Sequence, residues 1–236
     1  MITLYQFAPS FGLPVSVSPY CAKLEAYLRL TGREYETNDN ANPQKSPNNA
    51  VPYVTFDGGP PVADSREIMA RLEAEGPTLD EGLTEEQHEL GHEIEDLVQH
   101  ALYFGCLFAR FVEPAGWEHQ KPTVKALVPW LLSPLLVPII RSSQVKRCKE
   151  AGFTTPTDYD QTVKAAARVE EVLGDKPYLL GDEPRTYDCA AWANLLQVAY
   201  TRSDNAGRQA VRQRKRLMDY VRRFAERIEL SLPAVQ

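Results

Sequence analysis

Ser18-Pro19-Tyr20-Cys21-Ala22-Lys23-Leu24-Glu25-Ala26-Tyr27-Leu28 reads as the opening of a helix, with a physical reason at each early position. Ser18 is a residue type that caps the bare N–H groups of a first turn, and Pro19 suits the first helical position, where its missing N–H costs nothing. Leu24, Tyr27 and Leu28 supply one apolar face, and Gly32 after Thr31 supplies a left-handed stop. Upstream, Ile2 to Phe7 is rich in β-formers and ends before Pro9, a strand followed by the long loop Ala8–Val17. Downstream, Glu34–Thr37 is a short strand and Asn38–Asn49 is turn-rich, with Pro43 and Pro47. Tyr53-Val54-Thr55-Phe56 is a strand, Asp57-Gly58-Gly59 a turn and Pro61-Val62-Ala63 its hairpin partner. Asp64 or Ser65 begins a second helix, with Glu67 spaced to complete a capping box with Asp64. The order β-α-β, β-β-α predicts a small mixed sheet over residues 1–76.

Beyond a linker at residues 77–83, the pattern over residues 84–236 is all-helical. Thr84 to about Phe111 is one long amphipathic stretch, with Leu90, Ile94, Leu97, Ala101 and Phe104 on a stripe. Asp160–Leu173 is a second helix ended by Gly174, Thr186–Tyr200 a third and Arg208 to about Ile228 a fourth, strongly basic one. Ala126–Ile140 is almost wholly apolar but broken by Pro129, Pro134 and Pro138. A spanning helix needs about 20 apolar residues, so this segment reads as buried and kinked rather than transmembrane.

The whole chain has 236 residues, 43% of them hydrophobic and 25% charged, which excludes a disordered or collagen-like polymer. Its net charge of −6 gives no general attraction for nucleic acid. Cys21, Cys106, Cys148 and Cys189 form no Cys-x-x-Cys pair, and the first basic residue is Lys23. A reduced, cytoplasmic protein without a structural zinc is the expectation.

His88-Glu89-Leu90-Gly91-His92 matches the zinc-hydrolase pattern His-Glu-x-x-His. The two histidines fall opposite the Leu90 stripe, however, and no third ligand stands at a recognisable spacing. Six acids between Glu85 and Asp96, with no Lys or Arg among them, read as a solvated face and not as a metal site. The basic residues from Arg208 to Arg227 alternate with Val211, Leu217, Val221 and Phe224 as an amphipathic helix would, without the aromatic interleaving that base stacking needs. Tyr5 reads as a sheet-packing aromatic. Tyr103, Trp117 and Trp130 read as core residues, with the border of a substrate cleft as the other reading.

Ser18-Pro19-Tyr20-Cys21 resembles the glutaredoxin motif Cys-Pro-Tyr-Cys with Ser in place of the first Cys. By itself the quartet reads first as a helix cap. Together with Val51-Pro52 before the third strand and Asp64-Ser65 after the fourth, it resembles the N-terminal, thioredoxin-like domain of glutathione transferases. The helical remainder is similar to the C-terminal domain of that family, and Leu179–Asp188 to its capped core helix, which Asp188 would help start. Loop Ala8–Val17 and the run Ser18–Leu28 resemble the metaxin and failed-axon-connections-like branch.

The resemblance implies that Ser18 activates the thiol of glutathione and that Pro52 is cis, so that the backbone of Val51 pairs with the cysteinyl unit. Asp64 and Ser65 would hold the γ-glutamyl end. Lys or Gln often precedes the Val-Pro pair in the family. Here Ala50 stands there, and Lys45 substitutes only if its loop folds back. The position where the family has Ser or Thr three residues before Asp188 is Arg185. The implied activity is conjugation of glutathione, as co-substrate, to an electrophilic, mainly apolar small molecule, in a homodimer. The rival reading is a non-catalytic metaxin-like binding or adaptor protein.

Overall fold

A computed structural model describes residues 1–234. Strands β1 (Ile2–Tyr5), β2 (Tyr35–Asn38), β3 (Tyr53–Phe56) and β4 (Val62–Ala63) form one sheet in the order β2-β1-β3-β4. β1 runs parallel to β2, with helix α1 (Pro19–Leu30) between them in sequence, and antiparallel to β3. β3 and β4 are the expected hairpin, and α2 (Ser65–Glu75) follows. This is the small mixed sheet that the strand and turn signals imply, in the thioredoxin-like arrangement that the resemblance implies. Gly32 ends α1 as anticipated: at φ 63 it lets the Arg33 N–H reach back to the Leu28 carbonyl at 3.1 Å.

Every later element is helical: α3 (Glu85–Leu97), α4 (Tyr103–Phe111), α5 (Pro114–Ala126), α6 (Ser133–Glu150), α7 (Tyr159–Leu173), α8 (Thr186–Ala199), α9 (Ala206–Arg212) and α10 (Lys215–Arg227), with a few short 3-10 turns. α3 opens on the Thr84–Gln87 capping box and passes into α4 through a π-helical turn, Val98–Leu102. The basic stretch expected as one helix is two, since Gln213 and Arg214 break it between α9 and α10. Its cations are engaged locally: Arg214 pairs with Glu170, Arg216 with Asp175 and Arg227 with Glu183.

The apolar segment expected to be buried is not. Pro134 sits in the first turn of α6, where proline is tolerated, while Pro138 lies inside the helix. Of this stretch Ser133 and Val137 are buried, and Val128 and Ile140 pack half-buried against the core. Trp130, Leu131 and Leu135 are 77%, 69% and 64% exposed.

The core runs continuously from the sheet into the helices, centred on α8, whose residues Tyr187 to Ala199 are all buried. Trp192 stacks on Phe224 and donates its indole N–H to the Val221 carbonyl at 3.1 Å, so α10 closes over α8. An ion pair between Lys23 of α1 and Glu95 of α3, 2% and 7% exposed, ties the sheet side to the helical side. Arg66 of α2 adds a second cation 3.2 Å from the same carboxylate.

Candidate functional site

Ser18 immediately precedes α1 with extended backbone angles (φ −86, ψ 122), as an N-cap residue should, but its hydroxyl makes no capping bond. The capping reading therefore fails for the side chain. The hydroxyl instead lies in hydrogen-bonding reach of the Cys21 sulfur. Burial pushes the Cys21 thiol up to about 11, and the bonds from Ser18, Ser16 and the Phe7 backbone offset this only in part. Cys21 therefore stays a neutral, packed thiol, and Ser18 is the polar group left half-buried at the positive end of the helix.

The approach to Ser18 is held by two buried residues from the helical part. Arg110 of α4 donates to the Val17 carbonyl at 2.8 Å, Gln197 of α8 donates to the Ser16 carbonyl at 2.8 Å, and the Arg110 guanidinium also donates to Gln197 Oε1. Ser16 in turn accepts the Ser18 N–H on its Oγ at 3.3 Å. These contacts span 93 and 181 residues of sequence, so no local pattern announces them.

The Val51–Pro52 bond is cis, as the resemblance implies. Tyr53 pairs with Tyr5 on one side and with Ala63 on the other. One step beyond these pairs, Pro52 stands between the end of β1 and Asp64. Asp64 has φ 71, a region that non-glycine residues enter at a cost of about 1–3 kcal/mol. Its carboxylate accepts the Arg66 N–H at 2.8 Å, so it caps α2 without the expected partnership with Glu67. Ser65, 5% exposed, is the first residue of α2.

Val51-Pro52 and Asp64-Ser65 thus gather at one end of the sheet beside the N-terminus of α2, a suitable setting for an anionic ligand. The start of the turn-rich loop packs on the sheet: Ala41 donates to the Gln6 carbonyl at 3.3 Å and packs with Tyr53 and Ala63. Lys45 is exposed in its 3-10 turn, Pro43–Lys45, and among the described residues pairs with no carboxylate.

An aromatic wall adjoins the corner. Tyr20 meets Tyr103 edge-on at 5.1 Å, Tyr103 meets Phe104 at 5.0 Å, and the Arg147 guanidinium of α6 lies 5.5 Å from the Tyr103 ring. Burial raises the Tyr20 phenol to about 12, keeping it a neutral donor. Trp117, 6% exposed beneath Arg141, is core, as read from the sequence, but Trp130 is neither core nor part of this wall. Tyr5 stacks flat on Tyr53 at 4.5 Å.

A hollow of about 430 Å³ lined by Gln6, Glu25, Arg29, Tyr35 and Asp39, among others, includes none of the candidate residues. Its polar groups already bond one another: Gln6 donates to Asp39 at 3.0 Å, and Arg29 to Glu25 at 3.0 Å. His88 and His92 both reach the Tyr187 hydroxyl, at 2.9 and 3.3 Å, so the His-Glu-x-x-His residues pack against α8 rather than simply facing water. Among the described residues, no group of three or more His, Cys, Asp or Glu gathers in a way that could hold a metal ion. No helix there is long and apolar enough to cross a membrane.

Comparison with known proteins agrees with this geometry. Residues 19–116 match the glutathione S-transferase N-terminal domain, and residues 163–224 match the glutathione S-transferase C-terminal domain. The chain is 28% identical to the isoprene-epoxide–glutathione S-transferase of Rhodococcus sp. strain AD45, over 98% of this chain and 100% of that one. It is 29% identical to failed axon connections of Drosophila melanogaster over 87% of its own length, but spans only 52% of that protein. A glutathione transferase from Phanerochaete chrysosporium superposes with a TM-score of 0.66 at 16% identity, covering 98% of both chains. A β-etherase from Sphingobium does so with a TM-score of 0.62 at 19% identity, covering 99% and 96%. With both domain models matched in order over more than half its length, on the fold they describe, the chain belongs to the glutathione S-transferase family.

Proposed function

We propose that the protein is a glutathione transferase that conjugates the glutathione thiolate to an electrophilic, mainly apolar small molecule. The observation that carries this reading is the Ser18 hydroxyl, left out of helix capping at the start of α1, in a chain whose Val51–Pro52 bond is cis and whose α2 starts at Asp64-Ser65. In this reading Ser18 donates to the thiolate, the Val51 backbone pairs with the cysteinyl amide, and Asp64 and Ser65 receive the γ-glutamyl group. Lys45 answers the glycine carboxylate in place of the family's Lys or Gln. The wall of Tyr20, Tyr103 and Phe104 borders the electrophile's side, and its apolar surface fits a substrate of that character. The relative that conjugates isoprene epoxide with glutathione supports the reaction class.

Residues 1–76 form the glutathione-binding domain of this proposal and residues 84–236 the helical one, joined through 77–83. A cytoplasmic homodimer of the metaxin and failed-axon-connections-like branch completes it. Exposed Ala50 favours the rival, a non-catalytic adaptor, because the side chain beside Val51 offers nothing to a peptide ligand.

Calorimetry with reduced glutathione separates the two. Saturable binding is expected, weakened about tenfold or more in Ser65→Ala, since a hydrogen bond to a charged group is worth about 1.5–3 kcal/mol. No heat of binding up to millimolar peptide would remove the enzyme reading and leave the adaptor.

A further inference from the structure

The segment from Leu127 to Ile139 contradicts ordinary burial. Leu127, Trp130, Leu131, Leu132, Leu135 and Ile139 are 40%, 77%, 69%, 49%, 64% and 54% exposed, and they lie close together in sequence at the turn that leads into α6 and on its first turns. Leu135 and Ile139 stand at i and i+4, so they share one face of α6. Trp130–Leu132 form the 3-10 turn that leads into it. Val137 and Cys148 face the opposite way and are buried, so this is the outer face of a packed helix and not a displaced core face. Scattered exposed leucines need no explanation, but a contiguous patch of this size marks something that covers it.

The charges around the patch say what. Between Glu118 and Glu150 the chain has no acidic residue and six cations, Lys121, Lys125, Arg141, Lys146, Arg147 and Lys149, although the whole protein carries −6. Lys125 lies two residues before Leu127. Lys146 continues the line of Leu135 and Ile139 along the same face of α6. A second copy of this chain is a poor occupant, because an isologous contact sets the patch against itself and brings two lysine-rich fringes together with only the bracketing Glu118 and Glu150 to offset them, the latter already 3.6 Å from Lys146. Side chains exposed by two-thirds or more stand clear of the surface instead of lining a groove, which suits insertion into a fluid layer. Indole and leucine side chains beside lysines are the composition of a helix lying in a membrane interface.

We infer that the Leu127–Ile139 surface is a peripheral docking site for an anionic lipid bilayer. Trp130, Leu131 and Leu135 enter the acyl boundary, while the flanking lysines meet the headgroups. The inference stands apart from the conjugation reading and survives its failure.

Sedimentation with vesicles of equal parts phosphatidylglycerol and phosphatidylcholine, against vesicles of phosphatidylcholine alone, tests it with the full chain. Binding is expected to the anionic vesicles only, weakening with salt. It should fall about tenfold or more in Leu131→Glu/Leu135→Glu, since two apolar side chains that would leave water are replaced by charged ones. Lys121→Gln/Lys125→Gln should weaken it without removing any apolar contact. Trp117 and Trp192 are buried, so a blue shift of indole emission on vesicle addition reports Trp130. These positions are exposed and the variants should melt like the wild type. Binding to neither vesicle, or binding indifferent to Leu131→Glu/Leu135→Glu, overturns the proposal. So does a dimer that this variant converts to monomer, which would make the patch an interface between copies.

Discussion

Replacing Asp188 by alanine is expected to destabilise the fold by about 3–5 kcal/mol, because it strands three buried hydrogen-bond donors at about 1–3 kcal/mol each. Asp188 is fully buried in the first turn of α8, and its carboxylate accepts from the Leu179 N–H, the Arg185 N–H and the Tyr220 hydroxyl, each at 2.9 Å. These three donors belong to the segment before α8, to its N-cap and to α10, so a single side chain fastens three pieces of backbone around the central helix. Alanine leaves all three unpaired where water does not reach. Each unpaired group costs about 1–3 kcal/mol, partly offset because the carboxylate itself is penalised by burial. Total stabilities are about 5–15 kcal/mol, so the loss consumes a large fraction and should lower Tm by roughly 10 °C or more.

The pH dependence gives a second readout. Burial lifts the Asp188 carboxyl from 3.8 to about 6, outweighing the bonds from Leu179, Arg185 and Tyr220 that favour the charged form. The folded protein therefore keeps a proton that the unfolded chain has released, and the contribution of Asp188 to stability falls as pH rises from about 4 to about 6. The difference in unfolding free energy between wild type and Asp188→Asn should shrink across that window, other titrations cancelling between the two. An Asp188→Ala protein that melts within a degree or two of wild type would show that the carboxylate fastens nothing.

The elements legible in the sequence are those whose ends are punctuated by residues with backbone consequences. Pro19 and Gly32 bracket α1, the Asp57-Gly58-Gly59 turn sets the β3–β4 hairpin, and Gly174 ends α7. Prolines misled where their position within a helix mattered. Pro114 and Pro134 sit in first turns, while Pro122 and Pro138 are carried inside α5 and α6, and neither helix was expected. Apolar composition over Ala126–Ile140 says that something covers these side chains, but not whether it belongs to the same molecule. Nothing local signals the π-helical turn at Val98–Leu102 or the break between α9 and α10.

The candidate site divides along the same line. Ser18, Val51-Pro52 and Asp64-Ser65 stand at turns and helix starts, where side-chain type and backbone geometry are coupled. Arg110 and Gln197, which fix the carbonyls of Val17 and Ser16, are ordinary helix residues until folding brings α4 and α8 against the loop. The same holds for the meeting of Tyr20 with Tyr103 and Arg147.

On the conjugation reading, Ser18→Ala is expected to lower glutathione-dependent kcat/KM by about ten- to hundredfold while leaving affinity for the peptide nearly unchanged. Lowering a thiol pKa by about two units from roughly 8.5 requires about 2.7 kcal/mol of preference for the thiolate. A hydrogen bond to a charged sulfur contributes about 1.5–3 kcal/mol, and a helix N-terminus about 0.3–1. The hydroxyl therefore outweighs the helix end, and its loss returns most of the pKa shift to the thiol. The rising limb of rate against pH should move up by about one to two units in Ser18→Ala, and Ser18→Thr should restore much of it. A merely structural role would lower the activity without moving that limb. Ser18 is a suitable test because its hydroxyl caps nothing and its backbone is held by Ala22 and Ser16, so alanine should leave α1 where it is. Unchanged turnover, or a loss confined to KM for glutathione, would take the thiolate away from Ser18 and the proposed chemistry with it.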